Sequence, residues 1–100
     1  MKFNQKCALD ILKVIDEKII VYNDNSIQSG LKMDSINSNE IFNNESLNIY
    51  KKEELAYHTR FLYKNNLIEA NIKGGTDDFN IFIFDINING HKCLFENKII

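Results

Sequence analysis

The chain is 100 residues long, 44% hydrophobic and 26% charged, with a formal net charge of −2 and no proline. That length sets a single domain over residues 1–100, with a modest core and marginal stability on its own. The acidic balance excludes a generic nucleic-acid coat, which would be basic, and no run approaches the ~20 apolar residues that span a bilayer.

The start, MKFNQKCALDILKVIDEKII, places Asp10, Asp16 and Glu17 within its apolar stretch. It therefore does not read as a signal peptide, and the cytoplasm is the expected compartment. Residues 3–20 carry Phe3, Cys7, Ile11 and Val14 or Ile15, with a second row Ala8, Leu12, Ile15 and Ile19, at helical spacing; Lys6, Asp10, Lys13, Asp16 and Glu17 fill the other side. The spacing predicts an amphipathic helix. The β-branched IIVY at its end suits extended backbone, and NDNSIQSG suits a loop. Residues 23–49 read as an irregular, mobile insertion. Within it, Leu31 and Met33 alternate as in a short strand. Ile41 and Phe42 suit a helical turn after Ser38, and SLNIY alternates as in a second short strand.

Residues 51–65 predict a helix with Leu55, Ala56, Thr59, Leu62 and Tyr63 on its apolar side. Asn65-Asn66 suits a left-handed exit, because Asn tolerates positive φ. LIEANIK and FNIFIFDI read as strands joined by the turn GGTDD. Strict alternation would put Ile81, Ile83 and Asp85 on one face, and Phe82, Phe84 and Ile86 on the other. A last helix starts from Asn87 or Asn89 as N-cap, and Gly90 in its first turn permits close packing. Helix, irregular segment, helix, hairpin and helix give an α+β chain. The expected plan is winged helix-turn-helix-like: about three helices with a β-hairpin wing in the C-terminal half.

EELAYHTRFLYKNNLIEANI, followed by FNIFIFDINING and HKCL, resembles an uncharacterised bacterial and phage-associated family, domain of unknown function 2513. The matching residues are Glu54, Tyr57, His58, Leu62, Leu67, Ile68, Glu69, Gly90, His91 and Leu94. The similarity spans roughly residues 3–22 and 50–96 and leaves 23–49 unaligned. Asn66 replaces the family's usual Gly, and Asn87 and Ile88 stand where Thr and Trp are common. The resemblance implies a winged-helix-like fold and a phage or prophage origin. It implies no activity, because the family itself lacks one.

The helix at 51–65 is the candidate recognition helix. Lys52, Tyr57, His58, Arg60 and Lys64 are the side chains expected to project from it, with Lys73 and the Gly74-Gly75 tip approaching the DNA backbone. The expected role is a DNA-binding regulator on double-stranded DNA. Against this, Glu53, Glu54, Asp77 and Asp78 would repel phosphate. The competing expectation is a non-enzymatic protein-interaction module, with a protein partner or a second copy as its target. His58 and His91 read more readily as buried structural histidines than as functional ones. Cys7 and Cys93 read as small core residues. With the two histidines they make a poor zinc set, because His91 and Cys93 point to different sides of a helix. A disulfide is unexpected in a reducing compartment. No phosphate-cradling loop or nucleophile grouping is defensible, so neither an enzyme nor a cofactor is expected. Phe79, Phe82, Phe84 and Phe95 could form a stacking platform for single strands, but a hairpin packed on helices needs them in its core, which is the expectation; Phe82 or Phe84, if exposed, would mark a dimer interface.

Overall fold

The computed structural model describes residues 2–29, 36–72 and 81–99. The strand expected around Leu31 and Met33 lies outside the described residues. So does the hairpin turn, with Lys73, Gly74, Gly75, Asp77, Asp78 and Phe79.

Asn4 opens the first helix, α1 (Gln5–Ser29). Its side chain accepts a hydrogen bond from the Cys7 N–H at 3.3 Å, and its carbonyl accepts from Ala8 N–H at 3.2 Å. Cys7, Ala8, Ile11, Leu12 and Ile15 are fully buried, as their spacing predicts. The helix runs past the expected end, through IIVY and NDNSIQ, which corrects the expected loop at 23–29. Neither Gly nor Pro interrupts residues 5–29. Ordinary residues cost at most about 0.7 kcal/mol each against Ala, so a nucleated helix continues through them.

Strand β1 (Ile36–Asn37) follows. Asn37 then caps α2 (Ser38–Phe42). Its Oδ1 accepts from Asn39 N–H at 2.9 Å, and Glu40 Oε2 accepts from Asn37 N–H at 2.9 Å. This reciprocal box fixes the helical turn expected after Ser38. Where SLNIY predicts a strand, Glu45–Leu47 forms a 3-10 turn instead. Asn44 Oδ1 accepts from Ser46 N–H at 2.8 Å, offering the backbone a local partner that competes with a ladder. Leu47 is buried and Ile49 exposed.

Helix α3 (Lys52–Lys64) ends as the paired asparagines predict. Asn66 has φ 58°; its N–H donates to Tyr63 O at 3.1 Å, and Leu67 N–H donates to Leu62 O at 2.9 Å. That is a Schellman exit, closed by the buried pair Leu62 and Leu67. The chain passes directly into β2 (Ile68–Ile72), which pairs antiparallel with β3 (Ile81–Ile86). β1 pairs with the other edge of β3, giving a three-stranded antiparallel sheet in the order β1-β3-β2.

The β2–β3 register shifts between Glu69, opposite Asp85, and Ala70, opposite Ile83. Phe84 is the extra residue of this bulge. It corrects the strict alternation: Ile81, Ile83 and Ile86 are all buried, while Phe84 and Asp85 are exposed. One inserted residue reverses the side on which every later side chain points.

Asn87 is the N-cap of α4 (Ile88–Glu96), accepting from Gly90 N–H at 3.0 Å. Its amide group donates to the Asn66 carbonyl and to Asn66 Oδ1, so one side chain starts α4 and ties it to the exit of α3. A Cβ on Gly90 would overlap the Leu67 carbonyl oxygen and Ile86 Cγ2. The close packing expected at Gly90 is thus with backbone. The described residues form an α+β fold with four helices and one three-stranded sheet, rather than about three helices and a hairpin alone. The core lies where α1 packs against α3, β3 and α4.

Candidate nucleic-acid interface

At about 100° per residue, α3 divides into two sides. Leu55, His58, Thr59 and Leu62 face the core and are fully or almost fully buried. The opposite row is Glu53, Tyr57, Arg60 and Lys64. Glu53, Tyr57 and Lys64 are exposed and Arg60 is half-buried. Lys52 is exposed at the start of the helix, with its ammonium 5.6 Å from the Phe42 ring centroid.

The inward side is anchored by specific bonds. The Thr59 hydroxyl donates to Leu55 O at 2.7 Å. His58 Nε2 lies 2.8 Å from the Asn4 backbone N–H and can only accept there; Nδ1 lies 2.7 Å from Glu54 O and must donate. The ring is therefore neutral and protonated on Nδ1. His58 is 0% exposed. This corrects its place among the outward side chains and agrees with a structural histidine. It cannot reach a ligand, whereas Lys52, Tyr57, Arg60 and Lys64 can. Lys73, Gly74 and Gly75 lie outside the described residues.

Aromatic rings cluster around that histidine. Phe3 packs 4.5 Å from Phe61 and 5.6 Å from His58 between centroids, and Tyr57 meets His58 edge-on at 4.9 Å. Phe3 and Tyr57 remain 42% and 39% exposed. They form an apolar patch beside the Arg60–Lys64 end of the row.

A second polar tie holds the segment before α3. The Tyr50 hydroxyl donates to Asp10 Oδ2 at 2.7 Å. Burial, then the Asp10 hydrogen bond and charge, push the Tyr50 phenol well above its ordinary range. Burial, with the charges of Glu54 and Asp10, pushes the Cys7 thiol up to about 12. It stays a protonated thiol at neutral pH, a packing group rather than a nucleophile. Cys93 is likewise a free, buried thiol.

His91 departs from expectation. It is exposed on α4, not buried. Two further apolar side chains on that helix point away from the core: Ile88 is 71% exposed and Phe95 92%. Phe84 is exposed at the bulge and Phe82 half-buried, so the hairpin phenylalanines do not all enter the core as expected. The seven-residue spacing of Ile88 and Phe95 is a helical stripe visible in the sequence. Reading Phe95 with the strand phenylalanines obscures it. Among the described residues, no group of three or more His, Cys, Asp or Glu is placed to hold a metal ion. No helix of the described residues is long and apolar enough to cross a membrane.

Fold and site together define a small α+β domain that presents one mixed basic and aromatic helix face. No family model, curated protein or solved structure matches the chain.

Proposed function

We propose that this chain is a winged helix-turn-helix protein that binds duplex DNA through the outward row of α3. The observation that carries the reading is topological. One strand lies between α1 and α2, two more follow α3, and the order β1-β3-β2 closes them into one sheet. That plan leaves the helix after the turn free to enter a major groove. α2 supports the helix-turn-helix reading further, since it supplies the helix before the turn. On α3, Arg60 and Lys64 follow Tyr57, and Lys52 flanks the row.

The test is a salt-titrated shift assay on fragments of the host or phage genome. Binding is expected to weaken along a straight line in log salt, with a slope of about −0.9 per phosphate neutralised. Arg60→Ala and Lys64→Ala should each weaken binding and flatten that slope, by about 1 where the lost contact is to a phosphate. Unchanged binding in both variants would remove α3 as the contact surface. No retardation at low salt would remove the DNA reading.

A second reading, a protein-interaction or dimerisation module, is favoured by one observation. Ile88 and Phe95 expose an apolar stripe on α4, on a helix separate from the α3 row. If that stripe joins two copies, the wild-type chain sediments as a dimer and Phe95→Glu as a monomer with an unchanged circular dichroism spectrum. A wild-type monomer at millimolar concentration would rule out self-association through α4.

A further inference from the structure

We infer that Tyr57, backed by the ring cluster around His58, makes α3 read the 5-methyl group of thymine. The inference rests on the DNA-binding reading above and names what that surface selects.

Three observations carry it. Tyr57 is exposed on the outward row, away from Leu55 and Leu62, at the margin nearest His58. Its ring is held edge-on against His58, itself fixed on both nitrogens, so Tyr57 enters a groove with little freedom left to lose. Phe3 extends the exposed apolar surface alongside, its ring tilted at 39° against Phe61. A duplex offers such a surface one apolar group in the major groove, the thymine methyl. The remaining edges are donors and acceptors, which the carbon edge of the ring would desolvate without replacing; the Tyr57 hydroxyl can meet only one of them. The neighbouring Arg60 and Lys64 supply the charge complementarity that brings phosphates to the same face. The row from Glu53 to Lys64 is about 16 Å long, at 1.5 Å per residue, so it spans several base pairs.

The consequence is a preference for thymine-rich duplexes that does not depend on phosphate charge. The sequence's heavy use of Ile and Asn suits a genome rich in A·T pairs, where such sites are common.

Fluorescence anisotropy at low salt tests this with three duplex probes of equal length: alternating dA·dT, the same duplex with deoxyuridine for every thymidine, and alternating dG·dC. Deoxyuridine lacks only the methyl. The wild-type chain is expected to bind dA·dT roughly fourfold more tightly than the uridine duplex for each methyl covered. Tyr57→Ala should bring the two affinities together, and Tyr57→Phe should keep them apart. Arg60→Ala should weaken all three probes while preserving the ratio. Equal wild-type affinity for the thymine and uridine duplexes, with binding intact, would overturn the methyl inference and leave DNA binding standing. A ratio that survives Tyr57→Ala would overturn the assignment to Tyr57. Failure to bind any probe would overturn the parent reading.

Discussion

His58→Ala is expected to lower the unfolding free energy by about 3 to 5 kcal/mol, comparable with truncating any large buried ring. The ring is fully buried and both nitrogens are used. Removing it leaves a cavity under Phe3 and orphans the Asn4 N–H, whose acceptor it was. It also frees the Glu54 carbonyl from the bond it receives, although that carbonyl keeps its helical partner. An unpaired buried donor costs about 1 to 3 kcal/mol by itself. A domain this small holds on the order of 5 to 15 kcal/mol in all, so the loss removes a large share of its stability. Urea denaturation monitored by circular dichroism measures the loss. A change below about 1 kcal/mol would mean that the histidine does not tie the amino terminus to α3.

Gly90→Ala is expected to destabilise by about 1 to 3 kcal/mol, the usual cost of an overpacked site. The sign is the informative part. Inside an exposed helix the same change stabilises by about 1 kcal/mol, because Ala forms helix better than Gly. At Gly90 the added methyl meets the Leu67 carbonyl oxygen and Ile86 Cγ2. The side chain of Ile86 can shift; the carbonyl cannot, because Leu67 O also accepts from Asn87 N–H at 3.3 Å. Replacing Ile86 by Ala in the same chain removes Cγ2 but leaves the carbonyl clash, so it should rescue none of the loss. Thermal unfolding that shows Gly90→Ala equal to or above wild type would contradict the contact between α4 and the α3 exit.

These two positions also show what the sequence made legible. Gly90 beside an Asn N-cap and Asn66 at a helix exit are local signals, and local hydrogen bonding decides both. The apolar periodicity of α1 and α3 fixed their buried sides for the same reason. Two features escaped because they depend on partners distant in sequence. β1 spans only Ile36–Asn37 and becomes a strand through β3. The bulge at Phe84 is defined by pairing with Glu69 and Ala70, and no pattern within FNIFIFDI announces it. The sequence reads His58 both as an outward side chain and as a buried structural histidine; the periodicity of α3 favours the second, and only its partner Asn4 lies on a different element.

The site was half legible. Lys52, Tyr57, Arg60 and Lys64 follow from helical geometry once the apolar side is known. The exposure of Ile88 and Phe95 follows from where α4 docks, which the chain's own pattern leaves open.

The central claim is that the α3 side chains Lys52, Tyr57, Arg60 and Lys64 form the surface that meets DNA. Titrating the isotopically labelled chain with a low-salt duplex, and following backbone amide shifts, tests it most directly. The account predicts that the largest changes cluster on α3 at those four positions and diminish as salt is raised. Shifts confined to α4 around Ile88 and Phe95, or spread without focus over the chain, would contradict it.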